Sequence, residues 1–288
     1  MKIGEVLLKS YEILKKVEIE SYLLDSQLLL SKVLNVDKLF IMINRDFDLN
    51  PEQEKEFSRL VQIRKSKMPI KYILGECEFM GMSLIVKPGV LIPRPDTEIL
   101  VEEVIKHIKE KKHTKVCDVC CGSGAIGIAI AEFIKEAKVT LYDISFDALA
   151  VAKLNIERFD LHTRVNGEIS DLLRVAINQN IKFQVVVSNP PYIREEVIPT
   201  LMEDVKNYEP YIALSGGSDG LDFYRRITKE SLLVLEEGGL LAFEIGYDQK
   251  EEVEDILVKS GFNNIECIKD LSGNDRVIKA ILAYSPLK

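Results

Sequence analysis

The first 70 residues place apolar side chains at helical spacing. Between residues 3 and 14, and again between residues 22 and 34, apolar residues recur three and four positions apart. Asn50-Pro51-Glu52 is typical of a helix start, because asparagine caps free amides, proline fits the first turn and an acid favours the positive end. The pattern predicts a small helical domain over residues 1–70, which we interpret as a unit that docks onto or recognises another molecule.

The pattern changes after residue 71. Residues 76–80 and 82–86 flank Gly81, which predicts a β-hairpin within a linker of residues 71–92. The segment LIPRPDTE follows at 91–98, where two prolines stiffen the chain. We expect Asp96 or Thr97 to cap the helix that begins there.

From Lys115 onward, short apolar strands alternate with helices, one of them capped by Ser145. The predicted strands are 116–119, 139–142, 183–187, 240–245, 265–268 and 277–283. Such alternation means parallel strands joined by right-handed crossovers, so residues 93–288 are predicted to form a doubly wound, mostly parallel α/β sheet. No helix separates the last two predicted strands, so we expect them to form an antiparallel hairpin.

Composition and charge narrow the class of protein. A hydrophobic fraction of 47% and a charged fraction of 29% fit a globular chain and exclude a disordered one. Residues 1–80 carry 13 basic and 13 acidic side chains, so the formal net charge of -8 lies in the remainder and we expect no DNA partner. Because no apolar run reaches the ~18–20 residues of a membrane span and no signal peptide is visible, we expect no membrane partner and a cytoplasmic location.

The five cysteines do not suggest a disulfide framework, since their number is odd and three of them fall within residues 117–121. Cys117 and Cys120 have the spacing of a metal-binding pair, but the sequence offers no second pair. Structural zinc needs four ligands, so no metal site is predicted.

A glycine-rich turn follows the first of the alternating strands. Gly122, Gly124 and Gly127 fit the G-x-G-x-x-G pattern of a nucleotide-binding turn, and Asp143 ends the next strand, where an acid binds ribose hydroxyls. Both NAD and S-adenosylmethionine folds share these features. Asp118 favours S-adenosylmethionine, because a carboxylate would repel a pyrophosphate but attract the ammonium and sulfonium groups of that donor.

A second motif, Asn189-Pro190-Pro191-Tyr192, follows the strand over 183–187. Proline has no amide hydrogen, so the turn leaves carbonyl oxygens free, and the asparagine side chain offers another acceptor. Two acceptors and the flat face of a tyrosine can grip a planar –NH2 group. Since both motifs follow strands, we expect them to converge at one edge of the sheet.

With these motifs the chain resembles class I S-adenosylmethionine-dependent methyltransferases that act on planar nitrogens, a group that includes adenine-N6 DNA methyltransferases. More closely, it resembles the HemK/PrmC family of peptide chain release factor glutamine N5-methyltransferases. The resemblance extends over nearly the whole chain and includes the stretches YILGECEFMG (72–81), LIPRPDTE (91–98), EPYIALSGGSDGLDFYRRI (209–227), EIGYDQ (244–249) and DLSGNDRV (270–277). It implies a seven-stranded class I methyltransferase sheet, a linking hairpin and a small N-terminal helical domain, residues 1–70, that recognises the substrate.

The resemblance also implies roles for individual residues. The turn Cys120-Cys121-Gly122-Ser123-Gly124 would lie under the methionine moiety of S-adenosylmethionine, and Asp143 would bind its ribose. Asp171 and Leu172 would flank the adenine. Asn189 to Tyr192 would bind the glutamine amide, with Asn189, Pro190 and Tyr192 as the catalytic residues and Asn189 also near the donor. Cys120 departs from the family, because many members carry glycine there.

The implied activity is methyl transfer from S-adenosylmethionine to a glutamine amide nitrogen of peptide chain release factors, which would be its protein partners in translation termination. The motifs leave other substrates open, namely a ribosomal-protein glutamine or a nucleic-acid adenine. An NAD-dependent oxidoreductase would have no use for the Asn189–Tyr192 motif, and a binding module without activity would not need it either. A base methyltransferase should show a basic surface, whereas the only notable basic cluster lies at residues 59–71.

Overall fold

The computed structural model describes residues 1–111 and 113–283. The described chain divides into two compact units. The first contains residues 1–76 together with 202–208, and the second contains the remaining described residues. The three-part division of the sequence at residues 70 and 92 stays a prediction.

The helices are α1 (Ile3–Lys15), α2 (Tyr22–Leu34), α3 (Lys38–Ile43), α4 (Pro51–Lys65), α5 (Ile70–Leu74), α6 (Glu98–Ile108), α7 (Ala125–Phe133), α8 (Phe146–Arg158), α9 (Arg174–Asn178), α10 (Glu203–Tyr208), α11 (Tyr211–Leu214), α12 (Asp222–Val234) and α13 (Lys250–Lys259). The strands are β1 (Glu76–Phe79), β2 (Met82–Ile85), β3 (Lys115–Val119), β4 (Lys138–Asp143), β5 (Val165–Ile169), β6 (Phe183–Ser188), β7 (Leu235–Glu244), β8 (Phe262–Lys269) and β9 (Asp275–Leu282). Two short 3-10 turns cover Pro95–Thr97 and Ile198–Thr200.

The first unit is helical, as the apolar spacing predicts. Side chains such as Leu7, Leu29 and Leu60 are buried between α1, α2 and α4. The side chain of Asn50 accepts a hydrogen bond from the amide of Gln53 at 2.9 Å, which confirms the predicted cap of α4. The unit therefore has a hydrophobic core of its own.

The second unit contains a seven-stranded sheet in the order β5-β4-β3-β6-β7-β9-β8. The first five strands in this order run parallel, and β9 pairs antiparallel with both β7 and β8. This confirms the predicted doubly wound, mostly parallel seven-stranded sheet and the antiparallel hairpin at its end. Strands β1 and β2 form a separate pair at the predicted hairpin.

Side chains of the central strands alternate between two hydrophobic clusters. Val185 and Val187 of β6 belong to the cluster that includes α6, α7 and α8, whereas Val186 belongs to the cluster that includes α9, α12 and α13. Both faces of the sheet are thus covered by helices. Because crossover helices cover both faces, the carboxyl ends of the parallel strands remain as the place where a ligand can enter.

Two sequence predictions need correction. Strand β5 is absent from the predicted strands, because its Asn166 and Gly167 are exposed at the sheet edge and break the apolar pattern. Thr97 is the N-cap residue of α6, as one of the two predicted alternatives, but its side chain makes no capping hydrogen bond to the described helix, because the hydroxyl donates to Glu244 instead. The cap of α8 is confirmed, since Ser145 accepts from the amide of Ala148 at 3.2 Å. Among the described residues, no helix has both the length and the apolar character needed to cross a bilayer.

Candidate active site

A cavity of about 180 Å³ lies where four neighbouring parallel strands end. Its wall includes residues that directly follow β3, β4, β5 and β6: Cys120 to Ser123, Ile144 and Ser145, Ser170 to Leu172, and Asn189 with Pro191. Asp143, the last residue of β4, also lines it. The glycine-rich turn and the Asn189–Tyr192 motif therefore converge on one cavity, as their positions after strands predict.

The turn after β3 needs unusual backbone angles. Gly124 has a φ of +80°, and a Cβ placed on it would stand 2.9 Å from Ile128 Cδ1, so a larger residue would be both strained and crowded. Cys120 has a φ of +59° although it is not glycine. That left-handed conformation explains why glycine suits this position in the family. The Cys120 thiol lies at the cavity wall, and burial together with Asp143 raises its pKa, so the thiol stays neutral.

Asp143 fixes the turn from the neighbouring strand. Its Oδ2 accepts from the amide of Gly122 and its Oδ1 accepts from the amide of Ser145, both at 2.9 Å. Burial raises the pKa of Asp143 above its ordinary value, while the backbone amides oppose this rise. Each carboxylate oxygen can accept more than one hydrogen bond, so the group can hold the loop and still accept from a ligand.

Asp171 and Leu172 lie on the wall after β5, as the resemblance implies. The Arg226 guanidinium, also on the wall, donates to Asp171 Oδ1 at 2.7 Å. Leu172 is buried and contributes apolar surface rather than an aromatic ring. This part of the cavity therefore combines an apolar side with a carboxylate whose position is fixed by an arginine.

Asn189 lines the cavity, and a hydrogen bond defines the orientation of its side-chain amide. Its Nδ2 donates to Thr97 Oγ1 at 3.2 Å, so its Oδ1 is at the end of the amide away from Thr97. The Thr97 hydroxyl donates to Glu244 Oε2 at 2.5 Å, and Tyr192 donates through its hydroxyl to Glu244 Oε1 at 3.1 Å. Burial and the neighbouring Glu244 raise the pKa of Tyr192, so its phenol stays protonated.

Not every predicted residue lines this cavity. Gly124, Pro190 and Tyr192 do not line it themselves, although each is adjacent in sequence to a residue that does. Asp118 is fully buried, and its Oδ2 accepts from the amide of Gly127 at 2.9 Å. Burial raises the pKa of Asp118 from 3.8 to about 8, so the carboxyl is mostly neutral at pH 7 and lacks the charge on which its predicted attraction to the donor ammonium rests. Its role in donor binding stays a prediction without geometric support.

Sequence reasoning missed three residues near the site. Arg94 lines the cavity and forms an ion pair with the buried Glu209. Thr97 was assigned only to a helix cap, and Glu244 had no assigned role. Arg94 and Thr97 lie within the family-like stretch at 91–98, and Glu244 begins the one at 244–249, so the resemblance is the signal that points to them. Within residues 1–111 and 113–283, no group of three His, Cys, Asp or Glu side chains could hold a metal ion.

The sheet topology and the cavity wall together define a class I methyltransferase, and the family model described as the methyltransferase small domain matches residues 95–205. The model described as the PrmC N-terminal domain matches residues 5–75. A release factor glutamine methyltransferase of Clostridium botulinum is 54% identical over 97% of this chain and 99% of the relative, and one of Clostridium acetobutylicum is 52% identical over 98% and 99%. The chain belongs to the family of release factor glutamine methyltransferases, which confirms the resemblance to HemK/PrmC.

A solved structure agrees with this fold. The crystal structure of a methyltransferase from Pyrococcus furiosus has a TM-score of 0.53, is 18% identical in sequence, and the match covers 79% of this chain and 99% of that one. At this identity the likeness shows the fold alone. The family assignment rests on the curated relatives, which match over nearly the full length of both chains.

Proposed function

We propose that this enzyme transfers a methyl group from S-adenosylmethionine to the side-chain amide nitrogen of a glutamine in peptide chain release factors, in the cytoplasm. The names of the Clostridium relatives support the reaction and the substrate. The observation that carries the proposal is the placement of Asn189, which lines the cavity and whose Nδ2 donates to Thr97, so that its amide oxygen remains as the acceptor for a substrate –NH2 group.

The cavity fits the proposed donor. Gly122 has a φ of +56°, and a Cβ placed on it would meet only Val90 Cγ1, at 4.0 Å, so the turn leaves open space that a ligand can approach. In this proposal the turn over 120–124 lies under the methionine end, Asp143 accepts from the ribose hydroxyls, and Asp171 and Leu172 flank the adenine. When bound, S-adenosylmethionine supplies a methyl group on a sulfonium, which is a good leaving group.

The acceptor is a poor nucleophile, because the lone pair of an amide nitrogen is delocalised. In the proposed mechanism Asn189 Oδ1 and the carbonyl of Pro190 each accept one N–H of the glutamine amide. These two bonds orient the nitrogen, and they strengthen as positive charge develops on it, so they stabilise the transition state more than the ground state. Positioning the nitrogen in line with the methyl group further increases the rate of transfer. The methylated nitrogen is strongly acidic, so water can take its proton.

The test is methyl transfer from labelled S-adenosylmethionine to purified release factor. Parallel reactions contain a release factor with the target glutamine changed to alanine, ribosomal protein, and duplex DNA. Label on release factor that disappears with the glutamine change supports donor, substrate and acceptor together. Label only on a ribosomal-protein glutamine or only on adenine would replace the proposed substrate by one of those alternatives, and label on none would refute the proposed activity.

A further inference from the structure

Behind the Asn189 amide lies a chain of buried hydrogen bonds. Asn189 Nδ2 is 3.2 Å from Thr97 Oγ1, and Thr97 Oγ1 is 2.5 Å from Glu244 Oε2. The exposed fractions of Thr97 and Glu244 are 4% and 2%. These contacts join the LIPRPDTE segment, the end of β6 and the end of β7, which lie far apart in the sequence.

The direction of each hydrogen bond in this chain follows from the chemistry of Glu244. Glu244 accepts a hydroxyl hydrogen at each carboxylate oxygen, from Thr97 at Oε2 and from Tyr192 at Oε1, and these bonds oppose the rise that burial causes in its pKa. The single hydroxyl hydrogen of Thr97 is therefore directed to Glu244. The oxygen of Thr97 can then only accept from Asn189, which must turn its –NH2 group toward Thr97. The carbonyl oxygen of Asn189 is consequently at the end of the amide away from Thr97, on a residue that lines the cavity.

The opposite orientation of the Asn189 amide would disfavour binding of the substrate amide. If the amide of Asn189 were reversed, its –NH2 group would meet the –NH2 group of the substrate, and two donors would face each other without an acceptor. Asparagine has no intrinsic preference between the two orientations, because its oxygen and nitrogen are similar in size and the surrounding hydrogen bonds decide. The choice must come from its neighbours.

We propose that Thr97 and Glu244 are positioning residues, which hold the Asn189 amide with its oxygen toward the acceptor nitrogen. The inference rests on the proposed function, because only a substrate with an –NH2 group needs that oxygen. Glu244 has a second task, since its Oε1 accepts from the hydroxyl of Tyr192 at 3.1 Å. The backbone carbonyl of Glu244 in turn accepts from the hydroxyl of Tyr224 at 3.0 Å, so the carboxylate that orients two members of the Asn189–Tyr192 motif is itself anchored.

The first test compares Thr97→Val with Thr97→Ser. Valine keeps the shape of threonine but cannot accept from Asn189, so we expect kcat to fall about 10- to 100-fold while the affinity for S-adenosylmethionine stays within about twofold, as for misplacement of a reacting group. Serine keeps the hydroxyl and should recover most of the lost kcat. Thr228→Val is the matched control, because Thr228 is fully buried in α12 away from the cavity wall, and its variant should have the kcat of the wild type.

Glu244→Gln tests the direction of the hydrogen bonds that join Glu244, Thr97 and Asn189. If the amide oxygen of the glutamine accepts from Tyr192, its –NH2 group faces Thr97, and the hydroxyl of Thr97 is then free to donate toward Asn189 and favour the reversed orientation. We expect a loss of kcat at least as large as that of Thr97→Val, with donor affinity retained. A Thr97→Val or Glu244→Gln variant that binds the donor and keeps the kcat of the wild type would overturn the proposal.

A readout independent of substrate separates this inference from the proposed function. The side-chain amide hydrogens of Asn189, assigned by the loss of their NMR signals in Asn189→Asp, should exchange slowly in the wild type and in Thr97→Ser, and faster in Thr97→Val. Equal exchange in all three would overturn the orienting role, whatever the substrate is. Exchange could be slow only in the wild type and in Thr97→Ser while the wild type does not methylate release factor. That result would support the orienting role and refute the proposed substrate.

Discussion

Asp118 stands at the end of β3 without exposure to solvent, and replacing it with asparagine should change how stability depends on pH. Its Oδ2 accepts one backbone amide, while its Oδ1 is buried and has no partner among the described residues. Burial raises its pKa from 3.8 to about 8. The native state therefore keeps a proton that the unfolded state loses above pH 4. The stabilisation that this group contributes is fully present below its pKa in the unfolded state. It is lost as the pH rises toward its pKa in the folded state.

The magnitude follows from proton linkage. One proton bound by the native state and not by the unfolded state lowers the free energy of unfolding by about 1.4 kcal/mol for each pH unit. Raising the pH from 5 to 7 should therefore lower the free energy of unfolding of the wild type by about 3 kcal/mol through Asp118 alone. Asparagine does not titrate, and its oxygen can still accept from the amide of Gly127. The difference in stability between variant and wild type should grow by that amount over the same range.

Urea unfolding followed by circular dichroism at pH 5, 6 and 7 measures this difference, since the chain has no tryptophan for fluorescence. All other titrating groups are shared by the two proteins, so their contributions cancel. A difference that stays constant with pH would refute the reasoning and mean that Asp118 is charged in the native state. In that case the charge needed to attract the donor ammonium would be present after all.

Three further predictions concern the site and its support. Asn189→Ala should abolish methyl transfer while donor affinity stays close to that of the wild type; near-normal turnover in the labelled-methyl assay would remove Asn189 from the mechanism. Asp143→Ala should weaken donor binding measured by titration calorimetry, because two charge-assisted hydrogen bonds of ~1.5–3 kcal/mol each would be lost; unchanged affinity would mean that the ribose is held elsewhere. Gly127→Ala should lower the free energy of unfolding by about 1–3 kcal/mol, because the added Cβ would overpack the core against Leu141. That Cβ would lie 2.3 Å from Leu141 Cδ2, so an unchanged urea midpoint would show that Leu141 moves aside at no cost.

Local patterns were sufficient to predict most of the sheet. Each central strand is a short apolar stretch followed by a helix, and caps such as Asn50 and Ser145 use hydrogen bonds that span only three residues. The convergence of the two motifs was also predictable, because carboxyl ends of parallel strands share one edge. Strand β5 escaped detection because an edge strand need not be apolar, and Gly167 lies within it.

The support of the site could not be predicted in the same way. Thr97 has the sequence context of a helix cap, but its hydroxyl reaches Glu244, which lies 147 residues further along the chain. Asp118 seemed suited to a positively charged ligand, yet the fold places it against the amide of Gly127 and removes it from solvent. In both cases residue type and spacing leave several partners possible, and only the tertiary structure decides which one the side chain meets.

The place of β9 inside the sheet imposes an order on biosynthesis. The ribosome releases the chain from its N-terminus, so β3 to β7 can pair while β9 is still being made. During that interval β7 has an unpaired edge, which can recruit another extended chain. Only after residues 275–282 emerge can β9 cover that edge, and with it Arg276 reaches Asp96 and Asp270 at 3.3 and 3.1 Å. A nascent chain stalled before residue 275 would therefore have most of the cavity wall but an open sheet edge at β7, where another extended chain can pair.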